Sequence, residues 1–161
     1  MELEYFTKKN SFVLINWVSS AELNYLWSGP VFDFPLTAQQ IASHIATPEV
    51  IPFILRNEGK PLGYIELVRE STTKYRMCRV LIGDESYRGK GYGKGLVKLA
   101  VRYACEVLNA KVVTLAVFEN NPVALRCYQS LGFTITGKEM NIRTFNGESW
   151  TLLYMEKKIA A

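Results

Sequence analysis

"RVLIGDESYRGKGYGKGLVKLAVRYA", residues Arg79 to Ala104, sets an apolar run, a glycine-rich turn and an amphipathic stretch in immediate succession. Gly89, Gly91, Gly93 and Gly95 fall at alternate positions, separated by Lys90, Tyr92 and Lys94 and preceded by Arg88. Glycine is costly to order, so such a run needs a reason. Apolar residues at Leu96, Val97, Leu99, Ala100, Val101 and Ala104 give the following stretch a helical period with a wide buried stripe. The sequence thus predicts strand, turn and helix start. That combination binds anions, because the first amides of a helix lack partners and its dipole favours negative charge. Arg88, Lys90, Lys94, Lys98 and Arg102 crowd the same region, and a bound anion would relieve their mutual repulsion.

Outward from this stretch, the period changes from one element to the next. "VIPFILRN", an "EGK" turn and "LGYIELVRE" read as a hairpin, and "YRMCRVLI" follows as a third strand. "KVVTLAVF" is a continuous β-branched run that fits a buried central strand. "NPVALRCYQSLGF" is a short helix with Pro122 in its first turn and Gly132 at its C-terminal cap. "TITGKEMNIRTF" and "SWTLLYMEKK" form a closing hairpin about Asn146-Gly147. Residues 10 to 46 read as helix and loop. Asn10 or Ser11 caps one helix, and Thr37 with Gln40 forms a capping box at another. The whole is an α/β fold with a mixed, mostly antiparallel central sheet flanked by helices. No repeat or linker divides it, so residues 1–161 are expected to form a single domain.

Composition narrows the function. The chain has 161 residues, 48% hydrophobic and 21% charged, as for an ordinary globular protein. Nineteen Lys and Arg against fifteen Asp and Glu leave a net charge of +4, too small an excess to imply nucleic acid as a partner. No apolar run approaches the ~18 residues of a membrane helix. "MELEYFTKKN" is no signal peptide, so a cytoplasmic location without a membrane partner is expected. Cys78, Cys105 and Cys127 match no zinc spacing, and their odd number argues against a disulfide framework. The single histidine, His44, cannot complete a metal site with them and reads as a surface or helix residue. No metal is expected.

Two familiar phosphate patterns fail. In G-x-G-x-x-G the third glycine position holds Lys94, and the P-loop hydroxyl position after Gly93-Lys94 holds Gly95. "RGKGYG", Arg88 to Gly93, reads R-x-x-G-x-G and resembles the pyrophosphate-binding motif of the GNAT superfamily of N-acetyltransferases. "LAVFENNPVALRCYQSLGF" is similar to that superfamily's second motif, N-x-x-A-x-x-x-Y followed by L-G-F, here Asn121, Ala124, Tyr128 and Leu131-Gly132-Phe133. The two motifs cover residues 78 to 137 in the usual order. Gly83 and Glu85 depart from the pattern, standing where members often carry an apolar residue and a proline.

The resemblance implies transfer of an acetyl group from acetyl-CoA, a cosubstrate, to a primary amine on a small molecule, a lysine or a protein N-terminus. Homodimers are common in the superfamily. It further implies that the backbone of Val80, Leu81 and Ile82 pairs with the pantetheine arm. Amides from Arg88 through Gly89, Lys90, Gly91, Tyr92, Gly93 and Lys94 hold the pyrophosphate, Asn121 contacts the pantetheine portion, and Tyr128 sits beside the sulfur. A tyrosine hydroxyl there can protonate the departing thiolate, and a strand amide can polarise the thioester carbonyl. Glu66, on the strand next to Val80–Ile82, is the expected base, acting directly or through water. Asp84 and Glu85 are weaker candidates. Adjacent helix positions point about 100° apart, so Cys127 and Tyr128 cannot both face the sulfur, and direct transfer is favoured over an acyl-cysteine. Trp17, Tyr25, Trp27, Phe32 and Phe34 fit either core or the walls of an acceptor pocket. The alternative is a non-catalytic acyl-CoA sensor that keeps the loop and loses the chemistry.

Overall fold

The computed structural model describes residues 1–159, apart from the side chain of residue 142. Its strands are β1 (Glu2–Tyr5), β2 (Val50–Asn57), β3 (Lys60–Arg69), β4 (Lys74–Ile82), β5 (Val112–Phe118), β6 (Thr134–Phe145) and β7 (Glu148–Lys158). They form one seven-stranded sheet in the order β1-β2-β3-β4-β5-β7-β6. Every pairing is antiparallel except β4 with β5, whose connection carries the helix α4 (Tyr92–Glu106). A parallel pair needs such a crossover, and here the glycine turn and its helix supply it. The hairpin turns follow local backbone chemistry. Glu58 and Gly59 join β2 to β3, and Asn146 and Gly147 join β6 to β7, all with positive φ.

Period-2 alternation divides the sheet into two faces. One carries Leu62, Ile65, Leu67, Tyr75, Met77, Val113 and Leu115 against Leu96, Val97, Ala100 and Ala104 of α4. The helix α5 (Pro122–Ser130) closes this side through Tyr128. The other face packs Ile54, Tyr64 and Leu81 against Leu14 of α1 (Ser11–Trp17), Trp27 of α2 (Ala21–Ser28) and Ile41 of α3 (Ala38–Ile45). Farther along that face, Phe118, Trp150 and Leu152 pack with Tyr25 and Leu26 of α2. No helix among the described residues is long and apolar enough to cross a membrane.

Several sequence expectations meet a different outcome. The strand β1 was not expected from "ELEY"; it exists because β2 offers it an edge, with Glu2 opposite Arg56. The capping box at α3 is half formed. Thr37 Oγ1 accepts the Gln40 N–H (3.2 Å), but the Gln40 side chain turns to Asp33 and Pro35 instead of back to the cap. Of the aromatic set, Trp27 and Phe32 are core while Phe34 is exposed. Gly83 has a steric reason to depart from the motif: a Cβ there would lie 1.9 Å from the Trp17 ring.

A candidate active site where two strands part

Between β4 and β5 the ladder runs from Lys74 opposite Val112 to Met77 opposite Leu115 and then stops. Both strands continue, β4 to Ile82 and β5 to Phe118, without pairing. The cause lies one strand away. On β3 and β4, Glu66 faces Cys78 and Tyr64 faces Leu81, so Arg79 and Val80 together oppose Ile65. This is a β-bulge, which bends and twists its strand. Arg79 takes a φ of 52°, uncommon for a residue with a side chain. Its carbonyl accepts the Trp27 indole N–H at 2.8 Å.

The Arg79 side chain is tied down as well. Its Nε donates to Glu66 Oε1 at 2.7 Å. The Tyr64 hydroxyl donates to Glu66 Oε2 at 2.5 Å, and His44 Nε2 lies 2.9 and 3.0 Å from the two carboxylate oxygens. Glu66 has no exposed surface. Burial by itself would raise its carboxyl; the His44 hydrogen bond and the Arg79 charge outweigh that and hold it below the ordinary carboxylate range. Sequence reading expected a proton acceptor at Glu66. The structure places there an ionised carboxylate whose lone pairs are already engaged, and it does not line the adjoining cavity. His44, read as a surface or helix residue, sits on α3 with its ring against Phe32 and completes this cluster.

The parted strands open a cavity of about 790 Å³. Of the residues expected to contact a cosubstrate, Val80, Leu81, Ile82, Arg88, Gly89, Gly91, Gly93, Lys94 and Asn121 line it, as does Tyr128, whereas Lys90 and Tyr92 do not. At its mouth Gly91 adopts a φ of 85° and caps α4. The Gly95 N–H bonds the Gly91 carbonyl at 3.0 Å, so the amides of Tyr92, Gly93 and Lys94 precede the helical ladder and have no partner within it. The Arg88 guanidinium bonds the carbonyls of Ile82 (3.1 Å) and Gly83 (3.4 Å), closing the turn on itself. These unpartnered amides, with the Lys94 and Arg88 charges beside them, fit a diphosphate.

Tyr128 lies deeper, on α5, nine-tenths buried, its ring 6.0 Å from Phe133. Among the described residues its hydroxyl has no hydrogen-bond partner. Burial first, then the Cys127 and Cys78 thiols, push the hydroxyl well above its ordinary value, so it keeps its proton at neutral pH. Burial likewise pushes up the Cys127 and Cys78 thiols, which disfavours a thiolate nucleophile. Asn121 lines the wall and caps α5, its Oδ1 accepting the Ala124 N–H at 3.4 Å. Trp27, read as core or pocket wall, is buried and also lines the cavity, whereas Arg79, which joins the bulge to Glu66, was missed as a site residue. Only the register between β3 and β4 marks it. Among the described residues no group of His, Cys, Asp and Glu could hold a metal ion.

Residues 15–133 match the acetyltransferase (GNAT) family. The chain is 28% identical to the spermidine N(1)-acetyltransferase of Escherichia coli strain K12 over 130 residues, 81% of this chain and 70% of that protein. It is 42% identical to the spermine/spermidine N(1)-acetyltransferase of Bacillus subtilis strain 168 over 65 residues, 40% of each. Its fold superposes on spermidine N-acetyltransferase from Vibrio cholerae, solved with CoA and spermine, with a TM-score of 0.83 at 19% identity, covering 98% of this chain and 94% of that one. A putative phosphinothricin N-acetyltransferase gives 0.84 at 17% identity over 99% of both chains. At these identities the two solved structures speak for the fold.

Proposed function

The chain belongs to the acetyltransferase (GNAT) family and transfers the acetyl group of acetyl-CoA to an amine, and on that premise we propose how its own residues carry out the transfer. Amides of the Arg88–Lys94 turn hold the pyrophosphate of the cosubstrate. The unpaired edge of Val80–Ile82 receives the pantetheine arm as a strand would. Tyr128 stands at the sulfur end with Asn121 beside it. The acceptor is a small molecule, a reading supported by relatives named for spermidine and spermine. It attacks directly in a ternary complex. A bond forms from nitrogen to the carbonyl carbon, the C–S bond breaks, and the Tyr128 hydroxyl gives its proton to the departing sulfur. Tyr128 recovers a proton from solvent. The bulge leaves a backbone N–H of β4 free to polarise the carbonyl.

We assign Glu66 to positioning. With no Asp, Glu or His in the cavity wall among the described residues, the amine gives up its proton to water. The observation that carries the proposal is the alignment of the orphan amides of α4 and the partnerless Tyr128 hydroxyl along one cavity. Residues 1–161 are proposed to act as one domain, supported by a sheet that carries every strand, in the cytoplasm, where acetyl-CoA is at hand. Calorimetry with acetyl-CoA, followed by release of free CoA over a panel of amines, tests the reading. Binding with no release for any amine would point to the sensor instead.

A further inference from the structure

The walls of the cavity are one-sided in charge. The ionisable side chains that line it, Tyr and Cys aside, are Arg76, Arg79, Arg88, Lys94, Arg126 and Arg143, and among the described residues no carboxylate joins them. Three of these six cations are engaged elsewhere. Arg88 lies in the turn ahead of α4, Lys94 lies in the first turn of that helix, and Arg79 is neutralised by Glu66. Arg126 precedes Cys127 on α5, on the Tyr128 side of the gap.

Arg76 and Arg143 belong to the opposite side. On β4, Tyr75 and Met77 pack in the core that faces α4, so alternation puts Arg76 on the other face. Arg143 stands directly across from Trp150 in the β6–β7 ladder and therefore shares its face. Trp150 packs with Phe118, Leu152 and α2 on that side. Both side chains line the cavity, and both charges act on the Tyr154 hydroxyl. Arg76 is half-buried, and among the described residues its side chain has no hydrogen-bond or ion-pair partner. Of the carboxylates flanking this wall, Glu70 and Glu139 are exposed and already accept hydroxyl hydrogen bonds from Thr114 and Tyr154, Glu156 is half-buried across from Thr114 on the next strand, and none of the three lines the cavity. An acceptor reaching Tyr128 through the gap from this side would pass α2, Phe118 and these two arginines.

We infer that the acceptor is a primary amine carrying an anionic group, a carboxylate or its like, which Arg76 engages from the far side of the gap, and not a polyamine. A guanidinium matches a carboxylate with two parallel hydrogen bonds, and the half-buried wall strengthens them. A chain of ammonium groups would meet the Arg76 charge and, among the described residues, no carboxylate in the cavity wall. The inference rests on the acetyl transfer proposed above.

The test compares α-amino acids with their own carboxamides, which differ in the carboxylate alone, and adds spermidine. Free CoA is measured, and rates are corrected for the fraction of unprotonated amine. The acids are expected to exceed the amides and spermidine in kcat/KM by about tenfold or more, the factor one charged hydrogen-bond pair supplies. Arg76→Met should bring the acid-to-amide ratio close to one, and Arg76→Glu should turn the preference toward spermidine. Unchanged acetyl-CoA affinity in both variants shows that they fold. Wild-type protein that favours spermidine or the amides, or a ratio that survives Arg76→Met, overturns the inference and leaves acetyl transfer standing. Acetyl-CoA binding without release of CoA for any amine would take down the transfer mechanism and this inference together.

Discussion

Glu66→Gln separates two roles for one carboxylate. The side chain keeps its size and loses its charge, so the packing around Tyr64 and His44 survives while Arg79 is left without a counter-ion. The Arg79 side chain is 13% exposed and Glu66 is fully buried. Removing one partner of a buried pair strands the other charge and costs about 3–5 kcal/mol. For a chain of this length each kcal/mol lowers Tm by roughly 2–4 °C, so a drop of about 10 °C is expected. The dependence on pH carries a sign. The folded state holds the Glu66 carboxyl below its ordinary value of 4.5. Its contribution is therefore complete above that value and fades as pH falls through the lower folded one. The gap in stability between wild type and variant should be full near neutrality and close in acid. Urea unfolding followed by tryptophan fluorescence, repeated across the pH range, measures it. A Gln variant as stable as wild type that has nonetheless lost turnover would refute this reasoning and return Glu66 to the role of base.

Tyr128→Phe removes the hydroxyl proposed to protonate the sulfur, so kcat should fall about 10²-fold or more while the Kd for acetyl-CoA moves less than about twofold. Equal losses in both would defeat the general-acid role. Gly91→Glu sets a carboxylate among the amides proposed to hold the pyrophosphate and forces a side chain into a φ of 85°; acetyl-CoA binding by calorimetry should vanish, while circular dichroism retains the folded signal. Gly83→Ala drives a methyl into the Trp17 ring and should cost about 1–3 kcal/mol in thermal or urea unfolding. Finally, kcat/KM should climb with pH until the acceptor amine is deprotonated, because burial raises the Tyr128 hydroxyl and, among the described residues, no carboxylate or imidazole lines the cavity wall. Acceptors of lower amine pKa should shift the profile to lower pH by the same interval; a fixed inflection for all acceptors would reveal an enzymic base.

The residues that determined their own structure are those whose chemistry is local. Asn146-Gly147 makes a tight hairpin because both positions tolerate positive φ, Thr37 and Asn121 cap helices with their own oxygens, and the glycines at 89 and 91 turn the chain into α4. These effects act over three or four residues, so the turn, the helix behind it and Tyr128 were legible in order along the chain. Tertiary structure alone decided the rest. Nothing in "ELEY" is a strand until β2 lends it hydrogen-bond partners. Nothing near Arg79 announces a left-handed residue; Tyr64, Glu66 and Trp27 impose it across the β3–β4 register. The same register encloses Glu66, the expected proton acceptor, among Tyr64, His44 and Arg79, and it set Arg76 on the far face of the gap. Burial and charge at a point are sums over strands distant in sequence, and no local pattern carries them.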